Sequence, residues 1–311
     1  MNVLITGGAG YKGTVLTKKL LEEGFKVTVC DTFWFGDYLG EHKNLKKIKI
    51  NINDLNKSHL KNQNAIVHLA SIANDPSSLL NSKLSWETIA LGTYRLCSLA
   101  KEMKIKRFIY ASSGSVYGYR KEKQVTEECA LEPISDYNKC KMVAERTVMS
   151  FKNDLDYTIL RPATVCGLSP RMRLDVSVNM FTYQAFKNNK MTIFGGKQIR
   201  PNIHIDDITS VYIHFLKNRK IGTFNAGFEN ISIAKIAKGV KKNYKSSELI
   251  FSESNDPRSY RLNSDKLLKL GFKPKKNVSI AINEMSNYFN EGSFKEETHM
   301  FTVKHMKKLK L

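Results

Sequence analysis

Seven residues, GGAGYKG at 7–13, constrain this chain more than any other stretch. They join NVLIT (2–6), apolar enough for a buried strand, to TVLTKKLLEEG (14–24), whose apolar residues recur at helical spacing and stop at a glycine. KVTVCD (26–31) then reads as a second strand, so the opening residues form one strand–helix–strand unit. Gly7, Gly10 and Gly13 let the backbone turn tightly and approach a ligand with no side chain between them, while the helix that follows turns its positive end toward a phosphate. Tyr11 and Lys12 share that loop. Asp31 closes the second strand 18 residues after Gly13, where its carboxylate reaches both hydroxyls of an adenosine ribose and repels a 2′-phosphate. Lys12 would suit such a phosphate, but the carboxylate should dominate. The expected cofactor is NAD, not NADP.

The same alternation continues. Strand-like runs follow at KKIKINI (46–52), AIVHLA (65–70), RFIYASS (107–113) and YTILRPATVC (157–166), with helical stretches at 84–104 and 136–152. Strands alternating with helices imply an α/β, Rossmann-like doubly wound parallel sheet. From about 167 the pattern breaks into loops and shorter elements. We therefore expect an NAD-binding domain over 1–166, to which the chain returns at about 203–229, and a smaller substrate-binding lobe from 167–202 and 230–292. A basic C-terminal tail, 293–311, ends in KHMKKLKL.

Composition excludes several classes. With 41% hydrophobic and 25% charged residues, 311 residues can fill the core of a soluble enzyme. No apolar run is long enough to span a bilayer, and strand-like sequence from residue 2 leaves no room for a signal peptide, so a cytoplasmic protein without membrane insertion is expected. The five cysteines form no CxxC pair and the seven histidines have no ligand spacing. That implies reduced thiols and no metal site. A net charge of +21 invites a nucleic-acid reading, but the lysines are dispersed along the chain and read as a solubilising surface.

Chemistry enters at ASSGSVYG (111–118) and YNKCK (137–141). Tyr137 and Lys141 stand four apart on one helix face, and an ammonium beside a phenol favours the phenolate. The pair is a candidate general base. These motifs, with HLAS (68–71), LRPATVCG (160–167), RPNIHIDD (200–207) and SDKLLKLGFKP (264–274), resemble the extended short-chain dehydrogenase/reductases, a family of nucleotide-sugar epimerases and dehydratases that includes UDP-glucose 4-epimerase-like proteins. The resemblance covers nearly the whole chain. It implies that Ser113 bonds the reacting sugar oxygen, Tyr137 exchanges the proton and Lys141 holds the nicotinamide ribose. It also implies a cofactor site that includes Asn51, Ile52, Leu69, Ala70, Ser71 and Pro162. Ser115, Thr164, Asn179 and Arg200 correspond to substrate positions, and Arg258 or Arg261 stands in for an arginine that relatives often carry before the Asp at 256 and that this chain lacks there. A homodimer through helices near 84–104 and 136–152 is implied as well.

Small residues then narrow the reaction. Relatives that are dehydratases carry Asp and Glu after the catalytic hydroxyl, where this chain has Gly114 and Ser115, and the Glu of decarboxylases and Cys of 3,5-epimerases are absent at Ser115. What remains needs one hydride and one proton. The expectation is an NAD-dependent nucleotide-sugar 4-epimerase. The alternatives are a 4-dehydrogenase or 4-ketoreductase and, from another class, a catalytically idle NAD(H)- or RNA-binding relative. Ile89, Asn51 and Thr164 depart from the residues many relatives carry, which bears on the sugar and base preference. Cys140, Cys166, His68 and His204 read as structural. FWF (33–35) reads equally as a cover for the adenine edge or a neighbouring subunit and as plain core.

Overall fold

The computed structural model describes residues 1–120, 122–253 and 259–311. Seven strands form the central sheet: β1 (Asn2–Thr6), β2 (Lys26–Asp31), β3 (Leu45–Lys49), β4 (Ala65–His68), β5 (Arg107–Ala111), β6 (Asp156–Pro162) and, after an excursion, β10 (Gly222–Ala226). Their order is β10-β6-β5-β4-β1-β2-β3 and every pairing is parallel. The inner strands β1 and β4 are near-continuous apolar runs because helices cover both faces, whereas edge strand β3, LKKIK, is only partly buried. Alternate residues point to opposite sides, so Val3, Ile5, Val27, Val29 and Val67 join one core cluster while Leu4, Cys30, Ile66, Phe108 and Tyr110 join the other.

Register brings the carboxyl ends level. Thr6 lies between Cys30 and His68, and the glycine loop leaves the sheet there. His68 is fully buried, with its ring nitrogens 2.7 Å from Thr6 Oγ1 and 2.9 Å from Thr93 Oγ1. Burial, then Lys141, pushes its pKa down to about 3, so it is a neutral pin between β1, β4 and the Gly92–Glu102 helix.

The excursion between β6 and β10 builds much of a second lobe. β7 (Thr164–Cys166), β9 (Ile199–His204) and β11 (Glu229–Ser232) make a three-stranded sheet, and β8 (Lys190–Phe194) pairs with β12 (Glu248–Ser252). Helices Ser177–Asn188, Ile233–Lys241 and Val278–Asn290 close around a separate core that includes Phe181, Met191, Ile236, Met285 and Phe289.

Three local readings change. YTILRPATVC is not one strand: Pro162 ends β6, the Ala163 amide turns to the Ala226 carbonyl at 2.8 Å, and β7 enters the other sheet. Proline offers no amide to continue a ladder. KKIKINI stops pairing at Lys49, because Asn51 caps a short 3₁₀ turn over Ile52–Asp54. The 84–104 helix starts at Ser82 and contains a π-helical stretch, Trp86–Leu91, before Gly92–Glu102. Among the described residues no helix is long and apolar enough to cross a membrane.

Candidate active site

A cavity of about 580 Å³ opens at the carboxyl ends of the strands, facing the lobe. Gly7 has φ +74° and a Cβ there would lie 2.6 Å from the Ala70 nitrogen, while a Cβ on Gly13 would lie 2.4 Å from the Gly7 carbonyl. The first glycine lets β1 exit beside β4, and the second lets the Tyr11–Glu22 helix seat on its own loop. Gly10 is the N-cap and no side chain caps the first turn, which leaves its amides to a phosphate. Asp31 accepts from the Ala9 and Phe33 amides, each at 2.9 Å, and burial raises its pKa against those bonds.

Tyr137 and Lys141 lie on the Asp136–Ser150 helix, whose start is capped by Ser135. Lys141 Nζ donates to the Ala111 carbonyl at 2.7 Å and lies 6.0 Å from the Tyr137 ring centroid. Ser113 Oγ lies 2.7 Å from Ser115 Oγ, and Ser113 acts to lower the Tyr137 pKa. Ser115 in turn donates to Asn138 Oδ1. Proximity alone suggested a lowered tyrosine pKa, but burial outweighs it: Tyr137 is pushed up to about 12, first by desolvation and then by Asp75. Burial, then Lys12, pushes Lys141 down to about 7, and Lys12 itself falls to about 8 through burial and Arg173.

The expected positions divide clearly. Gly7, Gly10, Tyr11, Lys12, Gly13, Asp31, Asn51, Ile52, Leu69, Ala70, Ser71 and Pro162 line the cavity, as do Ser113, Ser115, Tyr137, Lys141, Thr164 and Arg200. Asn179 does not. It is fully buried behind the wall, where its amide receives Gly167 N at 3.0 Å and donates to Tyr11 Oη at 3.0 Å and the Arg173 carbonyl at 2.8 Å. Its amide bonds pin the loop after β7. Arg258 lies outside the described residues.

Two arginines were not anticipated. Arg171 and Arg173 line the cavity and are buried, yet Arg171 Nε and Nη1 and Arg173 Nη2 have no hydrogen-bond partner among the described residues. Arg171 lies 3.9 Å over the Phe35 ring, and burial followed by Arg173 pushes it down to about 9. Arg173 Nε donates to Asp175 at 2.9 Å. Buried guanidinium nitrogens without partners call for an anionic ligand. The signal was PRMRLD (170–175), two arginines in a short segment with apolar neighbours. A His204–Asp206–Glu284 cluster has the reach for a cation, but Lys276 Nζ already lies 2.7 Å from Asp206 and 2.6 Å from Glu284.

A family model for the NAD dependent epimerase/dehydratase family matches residues 3–227. The chain belongs to that family. Its cofactor is NAD and its members are enzymes. Among family members, the chain is 28% identical over 272 residues to a UDP-glucose 4-epimerase of Lactobacillus helveticus, covering 77% of this chain and 82% of that one. It is 28% identical over 309 residues to UDP-glucuronic acid decarboxylase 1 of Xenopus tropicalis, covering 93% and 72%. A solved family structure, UDP-glucuronic acid 4-epimerase from Bacillus cereus with UDP-glucuronic acid and NAD, superposes with a TM-score of 0.84 at 25% identity, covering 94% of this chain and 99% of that one. The uncapped helix start, the cavity-lining Asp31 carboxylate and the arginine nitrogens without partners among the described residues all fit a dinucleotide with its anionic pyrophosphate. When bound, NAD supplies the hydride acceptor that this chain lacks.

Proposed function

We propose that the protein is a nucleotide-sugar 4-epimerase that oxidises carbon 4 of the sugar, lets the ketone turn over, and reduces it from the other face. The carrying observation is what surrounds Ser113. A Cβ on Gly114 would lie 3.2 Å from the Pro162 carbonyl and 3.5 Å from Tyr260 Oη, and Ser115 Oγ is held between Ser113 and Asn138. Gly114 and Ser115 bring no carboxyl group for the extra acid and base of dehydration, and a side chain at 114 would crowd the Pro162 carbonyl. Ser113 orients the reacting oxygen, Tyr137 takes and returns its proton, and Lys141 supports the phenolate and the cofactor ribose. Relatives named as 4-epimerases favour the same reading, and a diphosphate would satisfy the cationic wall.

The test follows one hydride. UDP-glucose deuterated at carbon 4 should yield epimer that keeps its label, with no added NAD and no free NADH. Tyr137→Phe should abolish turnover while NAD binding stays nearly intact. Label lost to free cofactor, or product halted at a ketone until NADH is added, would instead assign a 4-dehydrogenase or 4-ketoreductase.

A further inference from the structure

The segment that reads as a charged tail does something specific in the fold. After the Val278–Asn290 helix of the lobe, the chain runs back to the NAD domain. On the way Glu296 accepts from Tyr183 Oη, still in the lobe. The Met300 carbonyl then accepts from Leu174 N at 2.8 Å, and Thr302 N donates to Asp175 at 3.0 Å, so the Arg171–Asp175 loop is tied down. His305 Nε2 donates to the Trp34 carbonyl at 2.8 Å, and its ring lies 5.1 Å from that of Phe35. Met306, 1% exposed, enters the core cluster that contains Cys30, Ile52 and Leu55. In the Thr302–Lys308 helix, Thr302 and Met306 are buried while Lys304, Lys307 and Lys308 face solvent. Basic residues therefore mask an amphipathic element.

Both tied loops are cavity wall. Trp34, Phe35, Arg171 and Asp175 line the dinucleotide end beside Asp31, and Phe35 carries the Arg171 guanidinium. One short segment thus clamps two walls that come from distant parts of the chain. We propose that residues 297–311 are a strap that keeps the Phe35–Arg171 wall closed over the adenosine half of NAD, with His305 as its positioning residue, so that the cofactor is retained from one turnover to the next. The proposal rests on the epimerase reading in one respect: retention is what a reaction returning the same hydride requires.

The test measures release, not turnover. NAD-loaded full-length protein is diluted into an NAD-hydrolysing trap, and the bound NAD that survives is followed by filtration. His305→Ala removes one hydrogen bond and a ring contact, and NAD should leave about tenfold faster, the equivalent of roughly 1.4 kcal/mol. His305→Gln, which retains a donor for the Trp34 carbonyl, should recover part of the loss. A chain ending at residue 296 should release NAD faster still; if it does not fold, the His305 pair decides. Release unchanged within twofold in folded His305→Ala overturns the strap, as does faster release that His305→Gln fails to improve. Unchanged release with the carbon-4 label retained sinks the strap alone. Faster release with the label lost in the unaltered protein sinks the epimerase reading alone.

Discussion

Glu145→Gln probes how the catalytic helix is held. Tyr137, Lys141 and Glu145 are spaced four apart and form one stripe of the Asp136–Ser150 helix, two residues at the cavity and the third beneath it. The Glu145 side chain is 1% exposed and that of Arg161 7%. Glu145 receives Arg161 Nε at 3.0 Å, Arg161 Nη2 at 2.6 Å, and the hydroxyl of Ser112, the neighbour of Ser113. Glutamine has one acceptor oxygen and would turn an amide donor toward a guanidinium that can only donate. The arginine charge would stay buried and uncompensated, at a cost of about 3–5 kcal/mol. An unfolding entropy of about 2.1 cal/mol/K per residue gives roughly 0.65 kcal/mol/K for a chain this long, so the melting temperature should fall by roughly 5–8 °C. Activity carries a second readout. Glu145 raises the Lys141 pKa against burial, so its neutralisation should move that pKa below about 7 and shift the alkaline limb of the pH profile to lower pH. Calorimetry and pH–rate curves check both. A loss under about 1 kcal/mol would refute the reasoning. So would Glu145→Leu with Arg161→Met proving more destabilising than Glu145→Gln alone, since an apolar pair leaves no stranded charge.

Three other outcomes are expected. NAD binding should take up protons near pH 7–8, because an anionic pyrophosphate raises the depressed Lys12 and Lys141; calorimetry in buffers of different ionisation enthalpy should find uptake on the order of one proton, and affinity falling as pH rises. Proton release would reverse the assignment. Asp31→Ala should weaken NAD by roughly tenfold or more while relieving discrimination against NADP, because it also strands the Ala9 and Phe33 amides; unaltered protein that prefers NADP in titration would show Asp31 misread. Helices Gly92–Glu102 and Asp136–Ser150 leave Leu91 and Tyr94 half exposed, with Tyr94 6.1 Å from Phe151, and a homodimer through this face should appear by light scattering. A monomer at micromolar concentration would exclude it.

Much of this was legible in the sequence because a doubly wound sheet writes itself in local terms. Each strand is a short apolar run, each helix has a 3.6-residue period, and the phosphate loop needs glycine for reasons of contact distance. Gly7, Gly13 and Asp31 stand where spacing placed them, on the cavity wall. What escaped depends on contacts between distant residues. Polarity alone cannot reveal that the Asn179 amide bonds Gly167, Tyr11 and Arg173. Arg171 and Arg173 sit in a loop, where no periodicity marks a face. Nothing in the sequence around Glu145 marks it as the partner of Arg161 and Ser112, which lie on other elements. The C-terminal segment was hidden by its lysines, which outnumber the two methionines that anchor it.

The position of β10 sets an order on the birth of this protein. β6 ends at Pro162, but the strand that covers its outer edge spans Gly222–Ala226, so that edge waits until the intervening excursion has left the ribosome. Closure is then locked from two sides: Arg107 Nη2 donates to the Phe215 carbonyl at 2.7 Å, and Thr158 Oγ1 to the Lys220 carbonyl at 2.6 Å. A nascent chain stalled between residues 166 and 222 already carries the glycine loop and the Tyr137–Lys141 helix. It also offers the unpaired ladder of β6 to any other strand it meets, an edge that β10 covers in the finished chain.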